Sequence, residues 1–160
     1  MNEKPLEVLV GELLIARQMT IATAESCTGG LISHLITDVS GSSAYMMGGI
    51  VAYSNEAKIN LLGVKPETLV AVGAVSEEVA IELAAGVKRV FGVDCALSVT
   101  GIAGPLGGTA EKPVGLTYIG LATPDGITVQ RFVWEGNRVQ NKLSSAQAAL
   151  QMLIAYLKTG

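Results

Sequence analysis

The sequence predicts an α/β fold: a single-domain, three-layer α/β/α sandwich around a mixed sheet. Three observations predict it. Short apolar or β-branched runs alternate with longer stretches whose apolar residues recur at three-and-four spacing, the pattern of strands separated by helices. Glycine-rich turns stand directly after two of those runs, at 28–30 and 101–108. Pro124-Asp125-Gly126 joins two late strand-like runs as a hairpin turn, which makes part of the sheet antiparallel.

Each element has its own cause. Residues 5–18 set Leu6, Leu9, Val10, Leu13 and Leu14 on one helical stripe behind Pro5, a residue suited to a first helical turn. Residues 20–24 are short and partly β-branched; Thr28 and two glycines then lead into 31–36, giving strand, turn and helix. Residues 46–53 read as a second strand, and 54–62 as a helix ended by Gly63. Pro66 starts another short helical turn, and Ser76, followed by acidic residues, caps a long helix to about Phe91. Residues 95–100 form a buried strand that empties into the glycine loop. Residues 114–122 and 127–134 are the hairpin strands, and 138–157 close the chain with Leu143, Ala146, Leu150, Leu153, Ile154 and Leu157 at helical spacing. No repeat, linker or low-complexity tract interrupts this order, so residues 1–160 are read as one domain.

Composition narrows the function. With 160 residues, 49% of them hydrophobic, the chain can bury a real core. A net charge of −3, with eleven Lys and Arg scattered rather than clustered, opposes a nucleic-acid surface, which needs cations to replace phosphate counterions. Cys27 and Cys95 lack CxxC or Cys/His spacing, so neither a disulfide scaffold nor a zinc site is expected. The chain shows no leader-like apolar region and no run of about 18 apolar residues, so the expectation is a cytoplasmic protein without a membrane partner. The long final helix and apolar content would suit a homodimer.

The residues able to carry chemistry gather at the turns. Glu25-Ser26-Cys27-Thr28-Gly29-Gly30 puts a hydroxyl and a thiol where unpaired N–H groups and a helix dipole favour negative charge, a natural oxyanion hole. The same residues serve equally as an ordinary helix start with Ser or Thr as N-cap. Neighbours on an extended turn point opposite ways, so only one of Ser26 and Cys27 should face a substrate. The lone histidine, His34, lies eight residues beyond Ser26 inside the next helix, which carries it away from the turn and opposes a Ser-His-Asp arrangement. Lys58 is the remaining candidate base; it must be neutral, which requires burial or a cationic neighbour, and is otherwise a solvated lysine beside Glu56.

Other positions leave both a functional and a structural reading open. Ser42 and Ser43 offer hydroxyls to a substrate or cap a turn. The loop from Thr100 to Gly108 offers N–H groups to an anion but lacks the Gly-Lys-Ser/Thr end of a P-loop. Arg138, beside Gly136-Asn137, has the guanidinium geometry for a phosphate or is a surface charge.

Taken together, the segments 23–30 (TAESCTGG), 53–58 (YSNEAK), 73–76 (GAVS), 98–105 (SVTGIAGP) and 111–115 (EKPVG) resemble the CinA C-terminal domain family over nearly the whole chain. That family includes the PncC-type nicotinamide mononucleotide deamidases. The resemblance implies hydrolysis of the carboxamide of nicotinamide mononucleotide to nicotinic acid mononucleotide and ammonia, in pyridine-nucleotide recycling, by a serine and lysine pair without metal or cofactor. It implies Ser26 as nucleophile and Lys58 as base, with Ser43 and Tyr53 as flanking polar residues. Thr28, Gly29, Gly30, Thr100, Gly101 and Gly104 are the implied substrate-binding backbone. Arg138 is the implied phosphate ligand, although the family's Gly-Asp-Arg appears here as Gly136-Asn137-Arg138. The alternative from another class is a non-catalytic nucleotide-binding or competence-related interaction module using the same glycine loops.

Overall fold

The computed structural model describes residues 3–159. Five runs pair into one sheet: β1 (Ile21–Glu25), β2 (Met46–Val51), β3 (Cys95–Gly101), β4 (Leu116–Thr123) and β5 (Gly126–Val133), in the order β2-β1-β3-β4-β5. β1 is parallel to both of its neighbours, whereas β3–β4 and β4–β5 are antiparallel. The carboxyl ends of β1, β2 and β3 therefore share one edge. The chain leaves β1 for β2 on one side and returns to β3 on the other. A strand order that reverses in this way opens a crevice at that edge, the usual ligand position in such sheets.

Side chains alternate between two apolar layers. On one face α1 (Leu6–Arg17), α2 (Leu31–Thr37) and α6 (Arg138–Lys158) bury Leu14, Ile32, Ile36, Leu150 and Leu153 against Ile21, Cys95, Leu97 and Ile119 of the sheet. On the other, α3 (Asn55–Leu62), α4 (Pro66–Val72) and α5 (Glu77–Phe91) cover Ala22, Ala24, Ala96 and Ala122. The small residues of that second face let α5 approach closely. A Cβ at Gly120 would stand 2.9 Å from the Ala80 carbonyl oxygen, and one at Gly86 would stand 2.0 Å from that of Leu62 at the end of α3.

The Ser76 cap read from the sequence forms as a hydrogen bond, and Ser54 and Asn137 add two the sequence reading did not name. Ser54 Oγ accepts the Ala57 N–H at 3.0 Å and Ser76 Oγ the Val79 N–H at 3.3 Å. Asn137 and Gln140 make a capping box at the start of α6, directly before Arg138. Two details differ from expectation. Ser42–Ala44 form a single 3-10 turn entered through Gly41 at φ 87°. The second strand stops at Val51, after which the Ala52 N–H adds one more bond to the Glu25 carbonyl at 2.9 Å. Among the described residues no helix is long and apolar enough to cross a membrane.

Candidate active site

The turn after β1 is built around a buried acid. Glu25 ends β1 and is almost fully enclosed. Its carboxylate accepts the Ile32 N–H at 2.8 Å, the Ser33 N–H and hydroxyl at 2.9 Å each, and the Thr28 hydroxyl at 2.6 Å. The N-cap of α2, Gly30, has no side chain to satisfy those orphan N–H groups, so the strand residue does it from a distance. The positive field that the sequence suggests for a substrate oxyanion is thus occupied, at the helix itself, by Glu25. Other N–H groups of the turn are left open. The N–H groups of Ser26, Gly29 and Leu31 are bonded to Val99, Ser26 and Thr28 carbonyls, while those of Cys27, Thr28 and Gly30 have no carbonyl acceptor among the described residues.

Ser26 lies one residue past β1, and Lys58 reaches it from α3 with Nζ 3.0 Å from Oγ. Helical side chains tilt toward the helix N-terminus, which carries the amine back to the Ala52 and Tyr53 carbonyls at 2.9 and 3.1 Å. Lys58 is 1% exposed and has no carboxylate partner among the described residues. Burial pushes its amine below the ordinary value of 10.5, and its place in the first turn of α3, at the positive end of the helix dipole, acts in the same sense. Neutral lysine has two N–H bonds and one lone pair; two carbonyls and one hydroxyl match that set. The ammonium form fits the same three partners, so a proton can pass from Ser26 to Lys58 without rearrangement.

Cys27 is a core residue, and burial pushes its thiol up to about 12. At neutral pH it is a protonated thiol and a poor nucleophile. His34 is exposed on α2 and makes no bond to Ser26. The serine and lysine therefore form the only nucleophile–base pair the turn offers among the described residues.

Ser26 and Lys58 open into a cavity of about 190 Å³ whose walls include Tyr53, Thr100, Gly101 and Arg138. Tyr53 contributes to the lysine through its carbonyl; its phenol is exposed and accepts from Arg138 Nη2 at 3.3 Å. The other guanidinium arm donates to the Gly104 carbonyl at 2.8 Å, so Gly104 anchors Arg138 and does not line the cavity. The Thr100 hydroxyl donates to the Ala74 carbonyl at 2.8 Å, which ties the β3 edge to the residues before α5. Ala74 and Val75 also line the cavity and escaped the sequence reading as site residues, although the 73–76 segment carries them.

Ser43 does not belong with this group. It is exposed in the 3-10 turn before β2, whereas the site lies beyond the other end of that strand. Six residues of strand separate the two ends, roughly 20 Å at about 3.3 Å per residue. Thr28, Gly29 and Gly30 border a different cavity on the far side of the turn, with His34 and Lys142. A groove of about 430 Å³ between the β4–β5 hairpin and the end of α6 contains no serine, cysteine or lysine. No three His, Cys, Asp or Glu side chains converge to hold a metal among the described residues.

Known proteins share this sequence and this shape. The sequence model of the CinA C-terminal domain matches residues 3–157. The CinA-like protein of Chlorobaculum tepidum is 51% identical over 162 residues, which take in 98% of this chain and 38% of that protein. The chain spans 37% to 38% of the length of the curated relatives it matches. Among solved structures, the competence/damage inducible protein CihA from Agrobacterium tumefaciens superposes with a TM-score of 0.91 at 39% identity, covering 99% of each chain. The competence damage-inducible protein A (ComA) from Klebsiella pneumoniae gives 0.93 at 33% identity, covering 96% of this chain and 95% of that one. With a family match through nearly its whole length and relatives at half identity or better, the chain belongs to the CinA C-terminal domain family.

Proposed function

We propose that the chain is an amidohydrolase that releases ammonia from nicotinamide mononucleotide, with Ser26 as nucleophile and Lys58 as general base. The observation that carries this reading is the 3.0 Å contact between the Ser26 hydroxyl and a buried lysine amine whose other partners are two carbonyls. Ser26 gives its proton to neutral Lys58 and its oxygen attacks the carboxamide carbon. The Cys27 and Thr28 N–H groups stabilise the resulting oxyanion. Lys58, now an ammonium, protonates the departing nitrogen, and ammonia leaves an ester on Ser26. Water then gives a proton to Lys58 and attacks the ester carbon. Collapse of that intermediate returns the proton to Ser26 and frees the pyridine carboxylate. A positioned base of this kind supplies about 10²–10⁴-fold in rate.

The test is ammonia release from the mononucleotide. Ser26→Ala and Lys58→Ala lose at least about 100-fold. Cys27→Ala and Ser43→Ala retain activity of the wild-type order, because one side chain is a protonated core thiol and the other lies at the far end of β2. Full activity in Ser26→Ala sinks the nucleophile assignment. Saturable binding by wild type with no ammonia leaves the binding-module reading instead.

A further inference from the structure

The cavity between Ser26 and Lys58, about 190 Å³, is below the roughly 300–1,000 Å³ that encloses a whole small ligand. It takes a planar ring and its carboxamide; the sugar and phosphate of a nucleotide must rest on neighbouring surface. Two cavities flank it across the first turns of α6. One, about 500 Å³, is bounded by Pro105, Val114 and Arg138, whose guanidinium is already bonded to Gly104 and Tyr53. The other, about 480 Å³, is bounded by Gly29, Gly30, Val139 and Lys142.

Lys142 follows Arg138 by one turn of α6 and is half-buried, yet its ammonium has no hydrogen-bond or ion-pair partner among the described residues. It hangs over the glycine turn, where a Cβ built at Gly29 would lie 3.6 Å from Nζ. Gly29 and Gly30 have φ of 62° and 102°, conformations that favour glycine and leave the approach to the amine free of side chains. The turn is closed by the Gly29 N–H donating to the Ser26 carbonyl at 3.1 Å. Such a turn holds its end Cα atoms within about 7 Å, which sets the Lys142 ammonium on the order of 10 Å from the nucleophile. The Cys27 thiol feels the positive charge of both Lys142 and Lys58, so both amines lie near the turn.

We propose that Lys142 is the anion-binding residue of a second subsite, over Gly29 and Gly30, which takes the phosphate of a nucleoside monophosphate substrate. What fills the first subsite rests on the amidohydrolase reading; the anion site does not. Arg138 in this arrangement is a strap between Tyr53 and Gly104 that lines the first subsite and the flanking cavity beside Pro105, not the Lys142 subsite.

The experiment pairs kinetics with ligand binding on the full chain. Lys142→Gln raises KM for nicotinamide mononucleotide roughly 10- to 100-fold, as expected for loss of a charge-assisted contact, with kcat of the wild-type order. It leaves hydrolysis of the phosphate-free riboside unchanged. Independently, ribose 5-phosphate raises the Tm of wild type and does not raise that of Lys142→Gln, whose own Tm matches wild type. Unchanged KM in Lys142→Gln, or a rise confined to Arg138→Gln, overturns the subsite. If wild type releases no ammonia, a Lys142-dependent Tm shift keeps the subsite and sinks the amidase reading; no such shift sinks both.

Discussion

The main-chain N–H and the hydroxyl of Ser33 both donate to one carboxylate oxygen of Glu25, each at 2.9 Å. The other oxygen takes the Ile32 N–H and the Thr28 hydroxyl. Because Glu25 precedes Ser26 directly, the group that caps α2 and the group placed to attack share one stretch of backbone. The buried acid fixes where the turn runs, and the turn fixes Ser26 against Lys58.

Glu25→Gln tests that coupling. Every contact to the carboxylate is a donor, so an amide NH₂ must face a donor wherever it turns. The expected cost is about 2–3 kcal/mol, the scale of a buried donor left unpaired together with a charged hydrogen bond lost. For a chain of this size that lowers Tm by roughly 4–12 °C. Ammonia release falls with kcat more than with KM, since the substrate does not touch Glu25. Thermal melts and steady-state kinetics check both parts; unchanged kcat at a lowered Tm reduces Glu25 to a purely structural role.

Gly86→Ala acts on the other half of the pair. A Cβ there meets the Leu62 carbonyl, backbone that cannot rotate away, and Leu62 ends the helix that carries Lys58. The expected destabilisation is about 1–3 kcal/mol, typical of overpacking. Moving α3 also lengthens the contact between Nζ and Ser26 Oγ, so kcat falls although the substitution lies on α5. Measured kcat and Tm equal to wild type would show that α3 yields without shifting Lys58.

The elements were legible because their signals are local. Ser54 and Gly63 bracket α3, Ser76 caps α5, and the Asp125-Gly126 turn closes the hairpin; each depends on residues within a few positions. The environment of Lys58 was not legible in this way. Its burial and its two carbonyl partners depend on how α3 returns over the ends of β1 and β2, a tertiary relation. Ser43 shows the same limit, since the resemblance brings it to the site while the parallel register, Ile21 opposite Met46, sends it to the other end of the sheet. β1 is buried throughout and β2 is a short, half-exposed edge strand, and neither pattern announces which strand it pairs with or in which direction. At Glu25 the sequence pointed to the positive field but not to the side chain that occupies part of it. The turn does favour negative charge, and the chain supplies that charge itself.

The pH dependence of stability reports the state of Lys58 directly. Its folded value lies below the ordinary 10.5, so between the two the unfolded chain holds more protons than the folded one and stability rises with pH. The thiols act oppositely. Cys27 moves from 9.0 to about 12 and Cys95 from 9.0 to about 11, so their contributions are present below 9 and fade as pH climbs through those folded values. Comparing wild type with Lys58→Met between pH 6 and 9 stays below the thiol window and removes the other groups by difference. The wild type gains on the variant wherever the pH lies above the lowered lysine value and below 10.5, by at most about 1.4 kcal/mol per pH unit, the limit for one proton. The same titration sets the alkaline rise of kcat/KM, because only neutral Lys58 accepts the Ser26 proton. Denaturation curves that keep a constant separation across this range would mean that Lys58 does not titrate there, and the proton acceptor for Ser26 would have to be sought elsewhere.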